Sequence, residues 1–132
     1  LMGRMSTPAT YLAVAAGGAL GATARFALGG AALRLLGPGF PWGTLAANVL
    51  GGFAMGVAAV LIAEKGLGSW GRLAPFVMTG VLGGFTTFSA FSLDALYLME
   101  RGRGAAAALY VGGSVALSIG ALWAGLSLAR SL

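Results

Sequence analysis

Thr86, Thr87, Ser89 and Ser92 are interleaved with Phe85, Phe88 and Phe91 in the run GFTTFSAFS, directly after the pair Gly83-Gly84. Four hydroxyls and a helix-weakening doublet inside a long apolar stretch are poor material for a helix that merely faces lipid. Where such a helix breaks, backbone carbonyls lose their intrahelical partners, which is tolerated at membrane depth only if protein or a cavity satisfies them. Carbonyl oxygens at broken helix ends are suitable ligands for a monovalent cation. Phe88 and Phe91, three apart, share one helical face. An aromatic ring has a positive edge around a negative face, so a ring turned edge-on can contact an anion.

Further polar groups interrupt the other apolar runs. Asn48 stands deep in the second run with two amide N–H donors and one carbonyl acceptor, suited either to bond a neighbouring helix or to line a pathway. Tyr110, Ser114 and Ser118 are spaced four apart and so lie along one helix face over about 12 Å. Each serine could back-bond to its own helix; three groups in register favour a polar track. Arg25 is a permanent cation well into the first run. It can snorkel to the interface, pair with Asp94, or set a positive potential at a vestibule that attracts anions. Asp94 reads as a structural partner rather than a catalyst.

Composition dictates the elements that hold these groups. Of 132 residues, 58% are hydrophobic and 8% charged, and the mean hydropathy is +0.91, too little charge for the surface of a soluble domain. The chain reads as an integral membrane protein. Its formal charge of +5 does not point to nucleic acid, because Arg4, Arg25, Arg34, Lys65, Arg72, Arg101, Arg103 and Arg130 are scattered, and most punctuate the apolar runs as membrane-flanking residues do. Without cysteine or histidine there are no disulfides, no thiolate chemistry and none of the usual general bases. An enzyme would have only Asp94, Glu64 and Glu100, so no catalytic residue is assigned.

A hydrocarbon core of about 30 Å requires about 20 helical residues. Residues 8–33, 42–63, 73–99 and 105–129 meet that length, with Trp42, Trp70 and Tyr97 near their ends as interfacial aromatics. The expectation is a single all-α domain over residues 1–132 with four transmembrane helices, the third broken near its middle. The 20 uncharged residues from Met5 to Ala24 are long for a signal core, so the ATA at Ala22 to Ala24 is not read as a cleavage site. Each span carries a glycine doublet: Gly17-Gly18, Gly51-Gly52, Gly83-Gly84 and Gly112-Gly113. Pairs four apart, such as Gly17 with Gly21, Gly52 with Gly56 and Gly80 with Gly84, let helix backbones approach closely where lipid supplies no hydrophobic drive.

Orientation is ambiguous by charge. One membrane end carries Arg4, Lys65, Arg72 and Arg130, four basic residues, against the three of Arg34, Arg101 and Arg103 at the other. So small a bias leaves both orientations accessible. A four-helix protomer has little room for an enclosed pathway, which makes an antiparallel two-fold dimer attractive.

Together these residues resemble the fluoride channel family known as CrcB or Fluc. The likeness covers all four spans: GGALGATARF with Arg25, PWGTLAANVLGGF with Asn48, GVLGGFTTFSAFSLD, and Tyr110, Ser114 and Ser118 in the last. The resemblance implies a dual-topology antiparallel homodimer in a bacterial inner membrane, with two fluoride pores that export fluoride passively. It also implies a central structural sodium ion held by the backbone carbonyls of Gly83 and Thr86 of both protomers. Fluoride-facing rings then fall on Phe88 and Phe91, polar pore residues on Asn48, Tyr110, Ser114 and Ser118, and the vestibule position on Arg25. Two positions depart from the family pattern: Asp94, where glutamate is expected, and Ala90, where a hydroxyl residue is common.

Two other classes fit less of the sequence. A small multidrug exporter would share the size and the four spans, but cation export requires a buried carboxylate in an early span, and the first two have none. A structural membrane subunit would explain the glycines and leave Asn48, the aligned serines and the hydroxyl cluster without a purpose.

Overall fold

The computed structural model describes residues 7–66 and 68–132, and for residues 68–70 the backbone alone. Arg4, Met5 and the side chain of Trp70 lie outside the described residues. Four helices are long and apolar enough to cross a membrane: α1 (Pro8–Leu36), α2 (Trp42–Glu64), α3 (Gly71–Glu100) and α4 (Gly104–Arg130). The first starts at a cap, where the Thr7 hydroxyl accepts from the Thr10 N–H at 3.2 Å and Pro8 fills a first-turn position that needs no donor. It stops at Gly37, whose φ of 79° suits a residue without Cβ and whose N–H closes on the Leu33 carbonyl at 3.0 Å. The turn that follows is held from the start of α4, where the guanidinium of its N-cap residue Arg103 donates to the Gly39 carbonyl.

Two stretches depart from regular α-helix in ways the residue pattern does not announce. The end of α2, Ala59–Glu64, and the early part of α3, Pro75–Leu82, are wound in wider π turns. In the former the Lys65 N–H reaches back five residues to the Val60 carbonyl at 2.7 Å. In the latter, Pro75 has no N–H to give to the preceding turn, which loosens the start of α3.

Glycine faces set the packing. A Cβ on Gly17 or Gly21 would drive into the α3 backbone at Phe76 and Val81, and one on Gly84 would lie 2.6 Å from the Gly18 carbonyl. A Cβ on Gly52 would lie 2.8 Å from the Ser118 carbonyl, and those on Gly56 and Gly125 would collide with the facing backbones at Leu122 and Phe53. Numbers rise together across both contacts, so α1 runs parallel to α3 and α2 parallel to α4. At one end the second pair is tied by the Arg130 and Glu64 side chains at 2.8 Å and by Lys65 Nζ donating to the Ala129 carbonyl at 3.2 Å. The fourth doublet behaves differently. Gly112 and Gly113 meet nothing within 4 Å, so their helix face is unpacked within the protomer. Phe26, Leu35, Phe88 and Trp123 are likewise exposed, an arrangement that suits lipid or a second chain rather than water.

Candidate functional site

The helix of α3 runs through Phe85, turns extended at Thr86 (φ −85°, ψ 158°) and resumes over Ser89–Glu100. The interruption is confined to residues 86–88 of one span. Its hydrogen bonds can be followed one by one. In an unbroken helix the carbonyls of Gly83 and Thr86 would accept from the N–H groups of Thr87 and Ala90. Here the Thr87 N–H donates to Asn48 Oδ1 at 2.7 Å, and the Ala90 N–H donates to Thr87 Oγ1 at 3.1 Å. The Thr87 hydroxyl thereby caps the second limb of α3 as an N-cap residue would. Of the released carbonyls, that of Thr87 accepts from Asn48 Nδ2 at 2.9 Å and that of Gly84 from Arg25 Nε at 3.2 Å. The carbonyls of Gly83, Phe85 and Thr86 accept no hydrogen bond among the described residues.

Asn48 therefore bonds another helix, one of the two roles open to it from sequence, and does so reciprocally: its amide mimics a peptide and stands in for the ladder that the break removes. One amide N–H remains uncommitted beside a groove of about 280 Å³, which Asn48 lines with Thr86, Thr87, Phe88, Phe91, Ser114, Val115 and Ser118. Ser114 and Ser118 do not back-bond to α4. Their hydroxyl oxygens are buried and without a partner among the described residues, an arrangement that costs free energy unless something else binds there. Phe88 is 78% exposed and Phe91 is 9% exposed, their ring centroids 5.6 Å apart with planes at 48°. One ring is held by the protomer and the other is presented outward.

Tyr110 lies on the same α4 face but not in this groove. It is almost fully buried, packed edge-on against Phe40 at 5.4 Å and tilted against Phe91 at 5.3 Å. Its hydroxyl donates to Asp94 Oδ2 at 3.1 Å. Asp94 thus pairs with Tyr110 rather than with Arg25, and borders a second cavity of about 300 Å³ whose walls include Thr44, Tyr97 and Arg101. Sequence reasoning leaves Thr87 without a role and cannot foresee the bond from Arg25 to Gly84, because both depend on the path of the interrupted backbone. The cue present in the sequence is that a lone mid-span amide and a lone mid-span cation accompany a span predicted to break.

No group of three or more His, Cys, Asp or Glu able to hold a metal occurs among the described residues. Uncharged carbonyls without donors among the described residues, such as those of Gly83, Phe85 and Thr86, are the type of ligand that suits a monovalent hard cation.

These features define a multi-pass helical membrane protein whose interrupted third span borders a small, mainly apolar groove carrying a few hydroxyl and amide groups. The chain matches the family model described as CrcB-like protein, Camphor Resistance (CrcB) over residues 12–126, and it belongs to that family. It is 56% identical over 121 residues to a protein of Cereibacter sphaeroides, covering 92% of this chain and 94% of the relative. It is 57% identical over 124 residues to one of a Ruegeria species, covering 93% and 96%, and 54% identical over 121 residues to one of Rhizobium etli, covering 92% and 96%. Each of these three relatives is named fluoride-specific ion channel FluC.

Proposed function

We propose that the chain is the protomer of a fluoride-selective channel that lets fluoride leave the cytoplasm down its gradient. The observation that carries this reading is the groove itself, where the unpartnered hydroxyls of Ser114 and Ser118, a spare N–H of Asn48 and the rings of Phe88 and Phe91 meet without a basic residue in the lining. Fluoride is small and strongly hydrated. Crossing about 30 Å of low-dielectric core requires donors spread along a route rather than one tight cationic site that would trap it. Hydroxyl and amide donors replace water, and ring edges serve where no hydrogen-bond donor is available. Tyr110, its hydroxyl committed to Asp94, continues the same face beyond Phe91. A cation exporter is less well supported, since the groove offers no carboxylate.

The groove is open-sided, and Phe88 projects from it. A second copy inserted in the opposite orientation would close it, which the four-to-three charge balance permits. In such an antiparallel homodimer, the donor-free carbonyls of Gly83 and Thr86 from both chains would hold a structural sodium ion at the axis. Multi-pass insertion in the inner membrane would give a microbe an exit for fluoride that enters as hydrogen fluoride from acid surroundings. The test is ion efflux from liposomes containing the purified protein: fluoride leaves rapidly and chloride does not. Absence of fluoride flux from folded protein removes the proposal.

A further inference from the structure

Arg25 reaches the break by the same face that packs α1 on α3. Gly17, Gly21 and Arg25 are four apart, so they form one ridge. The first two bring the α1 backbone against Phe76 and Val81, and the third arrives at Gly84, its Nε donating to the carbonyl at 3.2 Å. Gly84 lies between Gly83 and Phe85 in a backbone where carbonyls on both sides have no donor among the described residues. On the other side of the break, Asn48 occupies the Thr87 carbonyl. Two protein donors thus take two of the released carbonyls and leave the Gly83, Phe85 and Thr86 oxygens open, the first and last of them the pair proposed to hold the cation.

We infer that Arg25 is a positioning residue for the cation site: by holding the Gly84 carbonyl it keeps that oxygen out of the ligand set, and so fixes which cation the break accepts. The inference rests on the proposed sodium ion at Gly83 and Thr86, and gives Arg25 a task separate from a vestibule charge. A carbonyl cage discriminates among alkali cations by the number and placement of its oxygens. Releasing the Gly84 carbonyl adds a mobile oxygen beside the cage and relaxes its choice of ion.

The bond is made by Nε, so the side chain can be dissected. Arg25→Gln places an amide nitrogen the same number of bonds from Cα and removes the charge. Arg25→Lys keeps the charge and moves the nitrogen one bond further out. Arg25→Met supplies neither donor nor charge. Each variant is purified, checked for its elution position against wild type, followed in detergent for the rise in thermal midpoint on adding sodium or potassium, and assayed for fluoride efflux from liposomes with either as the sole alkali cation. Wild type is expected to require sodium. Arg25→Gln keeps that preference, whereas Arg25→Met loses at least tenfold of the sodium-over-potassium discrimination while still conducting fluoride. If Arg25→Met is not recovered folded, Arg25→Gln and Arg25→Lys decide the matter alone. Retained discrimination in the glutamine variant supports the clamp. Its loss in the glutamine variant with retention in the lysine variant overturns the clamp in favour of charge, and wild-type discrimination in Arg25→Met overturns the clamp and a charge effect together. Fluoride flux that is indifferent to the cation in wild type would instead remove the sodium site on which the inference stands.

Discussion

At the scale of single residues, the groove holds polar groups with partners beside polar groups without them, and the proposed pathway predicts different responses to their removal. Ser114 makes no hydrogen bond although it is buried, so Ser114→Ala removes a hydroxyl that contributes nothing to folding. Its thermal midpoint in detergent is expected to stay within a few degrees of wild type or rise, while fluoride flux falls by about tenfold or more, the value of one good hydrogen bond to a charged group. A large loss of stability with unchanged flux would mark Ser114 as a packing residue. Asn48 answers to both demands. Asn48→Asp sets a carboxylate oxygen where Nδ2 now donates to the Thr87 carbonyl and presents negative charge to an anion. Both flux and stability should drop, the latter by about 1–3 kcal/mol for the orphaned backbone group, read from flux assays beside thermal unfolding. Phe91→Ile keeps apolar bulk but removes the ring edge, and severe loss of flux from folded protein is the expected result. Flux near wild type in both Phe88→Ile and Phe91→Ile would assign the rings to packing.

At the scale of elements, the helices were largely legible because membrane length and charge punctuation are local signals. The break was legible as a likelihood of composition, since Gly83-Gly84 and four hydroxyls disfavour continuous helix, but its wiring was not. Whether Thr87 caps the second limb, or Arg25 meets Gly84 instead of Asp94, depends on which helix faces align, and a sequence does not fix that register. The π turns of Ala59–Glu64 and Pro75–Leu82 were not read from the residue pattern, although Pro75 is a local cause for the second. The glycines separate into two groups that spacing alone does not distinguish. Gly21→Ala places a methyl against α3 backbone, and Gly29→Ala places one in open space. The first should cost about 1–3 kcal/mol or prevent folding. The second should be neutral or stabilising by up to about 1 kcal/mol from helix propensity, with thermal unfolding as the comparison.

At the scale of the whole molecule, the account depends on a second copy. The proposed dimer explains why Phe88, and the face bearing Gly112 and Gly113, are left bare in the protomer. The balanced charges make orientation adjustable: two lysines added at one membrane end should fix insertion and silence each variant alone, and co-expression of oppositely biased variants should restore flux. Function in a singly biased variant would rule out the antiparallel arrangement. The most direct measurement is the reversal potential of the current carried by the purified protein in a planar bilayer with opposed fluoride and chloride gradients. The account predicts reversal at the fluoride equilibrium potential, unmoved when the sodium gradient is changed. Reversal at the chloride potential, or one that follows sodium, would contradict it.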